Sequence, residues 1–246
     1  MSGQPSGWAS VLVAGLTELV LPGGCAGCEG AVGEPLQRGV CRSCVEELAA
    51  LRAHPTRPDP APECLPPCAA IGDYHGVLRE LVLAYKDRGR HRLAVPLGRL
   101  LALVVESLTA GPVALVPIPD TPAAARARHG DHLGRLARAA AARLRTAGYP
   151  AVVSRPLRAR PRPDSAGLDT AQRAAQAVGG LRVRQLHAAG LGQWRHRTGG
   201  PVILLDDVIT TGATLAAATT RLASAGVPVA GAAVLAATRR TGAASS

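Results

Sequence analysis

Residues 202–215, VILLDDVITTGATL, decide the fold. Four apolar residues run into two acids, and Val208 and Ile209 then lead into the loop TTGAT. A continuous apolar run of this kind reads as a strand buried on both faces of a parallel sheet. Ligands of such sheets bind outside the carboxyl ends of the strands. Asp206 and Asp207 stand at that end, and a helix is predicted to start near Thr214. The free N–H groups and positive dipole end of a helix N-terminus suit a phosphate. Thr210, Thr211 and Thr214 add hydroxyl donors, while Gly212 and Ala213 let the backbone close around the anion. Carboxylates would repel the phosphate itself, but they accept hydrogen bonds from neutral hydroxyls. A ribose whose 5′-phosphate lies in the loop satisfies both halves.

Two rivals fail on the same residues. An apolar strand ending in acids also describes the Mg²⁺-binding strand of a P-loop ATPase. That reading requires G-x-x-x-x-G-K-[ST] elsewhere. Lys86, in AYKDRG, is the only lysine of the chain, so the motif is absent. A phosphoacceptor-type acidic pocket leaves the threonine loop without a purpose.

Working outward, the flanking sequence alternates between strand and helix patterns. ALVPIP (114–119) and AVVS (151–154) read as strands around an amphipathic helix, HLGRLARAAAARLRTAG (132–148). TLAAATTRLASAG (214–226) is a helix stopped by glycine, followed by the strand VPVAGAAVLAA (227–237). Helical stretches between short strands predict βαβ units and an α/β fold with a parallel sheet. Upstream, 74–109 reads as two helices, the first with Val77, Leu81 and Ala84 on one face. The segment 155–176 is long, basic and broken by prolines, as functional or disordered segments are; within it Arg155 to Arg162 read by default as a mobile solvated loop, with a lid or a nucleic-acid contact as the alternatives. Lys86, Arg88 and Arg90 could reach a pyrophosphate, but they read first as a solvated helix end. His187 and His196 have no evident partner.

The N-terminal third differs. C-x-x-C occurs at Cys25/Cys28 and again at Cys41/Cys44, with twelve residues between the pairs. Four thiolates in two tight turns suit one tetrahedral Zn²⁺ in a closed, structural site. Cys64 and Cys68, among prolines, read as spare. The expected organisation is a zinc module with a Pro-rich linker over 1–68 and an α/β domain over 69–246.

Hydrophobic content of 47% supports a core, which must be aliphatic because the chain has no Phe, two Trp and three Tyr. The net charge of +11 favours anionic partners, although an Ala- and Arg-rich bias raises the charge by itself. Aromatics for stacking on single-stranded nucleic acid are nearly absent. No segment reaches the ~20 apolar residues of a membrane span. Residues 8–22, WASVLVAGLTELVLP, lack a basic leader and are interrupted by Glu18, so a docked helix is expected rather than a signal peptide. A cytoplasmic location follows as the expectation, and there cysteines hold metal more often than disulfides.

On these residues, VILLDDVITTGAT resembles the phosphoribosyl-pyrophosphate (PRPP) signature of type I phosphoribosyltransferases. The resemblance implies that Asp206 and Asp207 hold the ribose diol. It implies that the loop from Val208 through Thr210, Thr211, Gly212, Ala213 and Thr214 holds the 5′-phosphate. It also implies a pyrophosphate site with Mg²⁺ on the loop after an earlier strand, at the place of PIPD (117–120). Pro117, Pro119, Arg126 and Arg128 are the candidate contacts there, with His129 beside them.

A zinc knuckle first and this signature last resemble the layout of the ComF (GntX-like) family. LVLPGGCAGC, DYHGVLRELVLAYKDRG, LVPIP with RARHGDHLGRLA, and DSAGLDTAQRAAQ resemble further stretches of that family, so the likeness spans nearly the whole chain. Ser165 stands where the family usually has Gln, Gln176 where it often has Asn, and His129 interrupts an Arg-Gly pair. The resemblance implies binding of PRPP or a nucleotide, with transfer of phosphoribosyl to a nitrogen base and release of pyrophosphate. As the alternative, it implies a non-enzymatic role in competence and DNA uptake, with single-stranded DNA or DNA-processing proteins as partners. It assigns no catalytic side chain.

Overall fold

The computed structural model describes residues 24–28, 30, 36–127, 130–160 and 180–238. The expected helix at 8–22, Arg128, His129, Ser165, Gln176 and most of the 155–176 segment lie outside the described residues.

The fold is α/β, built on a six-stranded, mostly parallel sheet of order β1-β2-β8-β7-β3-β4. Its strands are β1 (His54–Thr56), β2 (Cys68–Asp73), β3 (Val113–Pro117), β4 (Ala151–Val153), β7 (Val202–Ile209) and β8 (Gly231–Ala237). Only the edge strand β1 runs antiparallel. A separate antiparallel pair, β5 (Leu157–Ala159) and β6 (Leu181–Val183), stands beside it. β7 lies in the middle, between β8 and β3, and its run from Val202 to Leu205 is fully buried, as a central strand requires.

Seven α-helices are described. The first is α1 (Arg42–Ala50), after the second cysteine pair. α2 (Gly76–Lys86) buries Val77, Leu81 and Ala84, the predicted face, together with Leu78, Val82 and Tyr85. A turn of 3₁₀ helix leads into α3 (Ala94–Leu108), with Pro96 in its first turn, where a missing N–H costs nothing. α4 (Pro122–Ala127) is short; α5 (His132–Thr146) packs on α3. Gly98 sets their approach, since a Cβ there would lie 2.5 Å from Ala139 Cβ. α6 (Gln185–Thr198) and α7 (Ala213–Ala223) flank β7 in sequence.

β7 runs two residues further than predicted, to Ile209, because β8 pairs with it as far as Ile209–Ala237. β8 begins at Gly231 rather than at 227. The Pro-rich stretch contributes β1 and sends Leu65 into the core. Among the described residues, no helix is long and apolar enough to cross a membrane.

Candidate functional site

The site grows out of an asymmetry in the sheet. On one side β7 stays paired with β8 to its last residue. On the other, β3 pairs only to Pro117–Leu205, and a final bond from Ile118 N–H to the Leu205 carbonyl ends the ladder. From Asp206 onward, β7 therefore faces the connection after β3 instead of a strand. Such a divergence at the carboxyl end of a parallel sheet is where ligands enter.

The two acids divide the work. Asp207 is 6% exposed. Its Oδ1 accepts the Val208 N–H at 2.8 Å, and its Oδ2 meets Lys86 Nζ at 2.7 Å and His132 Nε2 at 3.3 Å. Burial opposes ionisation, but the His132 hydrogen bond and the Lys86 charge hold this carboxyl well below the usual range. Asp206 is half-buried, and its Oδ1 accepts the Asp207 N–H at 2.9 Å. Burial and the adjacent Asp207 charge push it up. Two neighbouring carboxyls thus differ in their readiness to carry charge, with Asp206 the one nearer solvent.

The loop follows directly. Thr210 and Thr211 are exposed, and Thr214 is partly so. Gly212 adopts φ +72°, the left-handed region, and serves as N-cap of α7 without a side chain to cap it. A Cβ at Gly212 would lie 3.0 Å from Leu65 Cδ1 and 3.2 Å from Pro58 Cγ. The Pro-rich stretch thus packs against the back of the loop. Ala213 N–H donates to Thr211 Oγ1 at 3.4 Å. The predicted residues 206–214 are therefore contiguous at one end of β7, with a helix N-terminus beside them.

The candidate residues after β3 divide. Pro117, Pro119 and Asp120 line a cavity of about 350 Å³ together with Arg155, Arg158 and Arg184. Arg126 is exposed and is not among its lining residues. Arg158 lies in β5, Arg155 just before it and Arg184 just after β6. Arg155 pairs with Asp131 at the start of α5.

Two features lay beyond the sequence reading. Lys86 is not a solvated helix end: its side chain is 24% exposed and its ammonium is turned onto Asp207. Its neighbours do differ in use, since Arg88 pairs with Glu80 at 3.0 Å and Arg90 donates to the Gly24 carbonyl at 2.7 Å. His132, 3% exposed, had no assigned role. The spacing 132, 136, 140, 144 places it on the buried stripe of α5, which is the signal that could have found it.

The four cysteines come together. The sulfurs of Cys25, Cys28, Cys41 and Cys44 all lie within 4.8 Å of one another, positioned to hold a metal ion. Gly27 N–H and Cys41 N–H both donate to Cys25 Sγ, at 3.3 and 3.2 Å. Cys64 is exposed, and Cys68 is buried in β2 with its thiol donating to the Pro66 carbonyl, so both stand apart from the cluster. The cluster docks on α2, with Gly27 packed against Val77 of that helix and Cys44 of α1. No family model matches the chain, and no curated protein matches it.

Proposed function

We propose that the chain is a type I phosphoribosyltransferase-like protein of ComF type that binds PRPP or a nucleotide through its ribose 5-phosphate. The observation that carries this reading is the continuous unit from Asp206 to Thr214. A carboxyl pair at the open side of β7 leads into a threonine loop that turns at left-handed Gly212 into the N-terminus of α7. The loop amides and threonine hydroxyls bind the 5′-phosphate, and Asp206, with Asp207 behind it, accepts the ribose hydroxyls. The cavity lined by Pro117, Pro119 and Asp120 also carries Arg155, Arg158 and Arg184, a basic lining that would suit a further anionic group such as the pyrophosphate.

In transfer to a nitrogen base, the chain's contribution is positioning and charge. The acids fix the ribose, and the loop fixes its 5′ end. The arginine-lined cavity receives the leaving group. Mg²⁺, when bound with PRPP, would neutralise charge on the leaving pyrophosphate. Zn²⁺ is the metal that suits the cysteine cluster. Sulfurs about 2.3 Å from a tetrahedral ion lie roughly 3.8 Å apart, and Cys28 Sγ and Cys41 Sγ are separated by 3.8 Å. With four protein ligands, such a site is structural.

A second reading draws on the β5–β6 pair, where Arg158, Arg160, Arg182 and Arg184 are all exposed. That basic ribbon suits single-stranded DNA and an accessory role in DNA uptake. Titration with PRPP and Mg²⁺, followed by pyrophosphate release with a panel of bases, tests the first reading. Salt-dependent binding of single-stranded DNA that persists in Asp206→Asn would favour the second.

A further inference from the structure

Among the described residues, the buried charged side chains are His132 and Asp207, and they touch each other. His132 Nε2 lies 3.3 Å from Asp207 Oδ2, and its Nδ1 lies 2.7 Å from Asp120 Oδ2. The histidine thus stands between the connection after β3 and the acidic end of β7. Both of its ring nitrogens face carboxylate oxygens. A neutral imidazole donates through one nitrogen and presents a lone pair from the other. Here that lone pair would point at a carboxylate oxygen out of reach of water, an arrangement that costs free energy on both sides. An imidazolium sets positive charge against both carboxylates, at ion-pair distance from each.

The backbone holds the ring in this place. His132 opens α5, whose N-cap Asp131 accepts the Gly134 N–H at 2.8 Å. Tyr85 Oη donates to the His132 carbonyl at 2.6 Å, and the two rings meet edge to face. The charged and titratable groups around it come from every neighbouring element. α2 supplies Lys86 and Tyr85, the β3–α4 connection supplies Asp120, and β7 supplies Asp206 and Asp207. Its own helix supplies Asp131 and Arg135, and Arg135 Nη1 lies 3.2 Å from His91 Nδ1.

We infer that His132 is a positioning residue of the ribose-phosphate site, an imidazolium clamp that joins Asp120 to Asp207 and presents the acid pair in one orientation. The inference rests on the ribose 5-phosphate reading given above. Three carboxyls, Asp120, Asp206 and Asp207, converge close to a loop that must admit a phosphate. His132 and the Lys86 ammonium both lie against Asp207 Oδ2, and His132 also faces Asp120 across the gap between the β3 connection and β7. With His132 in place, the negative field at the loop is reduced and both carboxylates lose rotational freedom before the ligand arrives. Burial works against the cation, but the hydrogen bonds and charges of Asp120 and Asp207 outweigh it and push the imidazole up to about 9. A raised value keeps the clamp formed below that pH and lets it go as pH rises through it.

The test uses the full chain, wild type beside His132→Asn and His132→Gln, which keep one donor and lose the titrating charge. Imidazole ¹⁵N spectra of the wild type should show one doubly protonated ring persisting to about pH 9 that is missing from both variants. A neutral tautomer at pH 8 in every histidine overturns the clamp. Calorimetric titration with ribose 5-phosphate from pH 7 to 10 supplies the second readout. Wild-type affinity should fall as pH passes about 9, while both variants bind at least tenfold more weakly at pH 7.5 and lack that step. Equal affinity and an equal pH profile in wild type and variants overturn the positioning role. Absence of binding by the wild type ends the ribose 5-phosphate reading, and the positioning role with it. The spectra then show separately whether the clamp itself exists.

Discussion

Replacing Lys86 by methionine keeps the stem of the last side chain of α2 and removes an ammonium that lies 2.7 Å from Asp207 Oδ2. Coulomb attraction at that separation is about 6 kcal/mol with an effective dielectric near 20. Much of it is offset by desolvation, and the lysine is a quarter exposed, so solvent screens the pair. The net coupling should be about 2 kcal/mol. It is best isolated by a double-mutant cycle of Lys86→Met, Asp207→Asn and the combined variant, each unfolded in urea. Lys86→Met alone leaves Asp207, 6% exposed, with His132 and the Val208 N–H but without its closest cation, and should destabilise by about 2 kcal/mol. The double variant should cost about 2 kcal/mol less than the sum of the singles. A coupling below about 0.5 kcal/mol would show that Lys86 is an ordinary solvated helix end, and the account of a pre-charged acid pair would fail.

Two further outcomes follow from the geometry. The purified chain should carry one zinc per molecule, and Cys41→Ser should lose it with a fall in melting temperature, because metal binding is coupled to folding of the knuckle; elemental analysis showing metal retained by the variant would remove the site. Gly212→Ala should destabilise by about 1–2 kcal/mol, since it places a Cβ at φ +72° against Leu65 and Pro58; it should also weaken ribose 5-phosphate binding, and calorimetry showing unchanged affinity would separate the loop from the ligand.

The sequence exposes the fold where physics leaves a strong local pattern. β7 is legible because burial on both faces demands an unbroken apolar run, and the two acids mark where that burial ends. α5 and α7 are legible from their 3.6-residue periodicity and glycine stops. β1, β5 and β6 are three residues each, HPT, LRA and LRV, too short for any alternation to register. β2, CAAIGD, carries only one β-branched residue and follows a run of prolines. Its place in the sheet is set by pairing with β8, which lies more than 150 residues away. The loop half of the site is contiguous in sequence and was readable. The charge-setting half is not, since Lys86, Asp120, His132 and Asp207 meet only through the packing of α2 and α5 against the open side of β7.

If the unit from Asp206 to Thr214 holds a ribose 5-phosphate, PRPP must bind there and depend on Asp206. The most direct measurement is an isothermal titration of the full chain with PRPP and Mg²⁺, run beside Asp206→Asn. Saturable binding of one molecule per chain is expected, with a loss of at least tenfold in affinity in the variant, about the weight of one hydrogen bond. No saturable heat with the wild type, or the same affinity in both proteins, would contradict it.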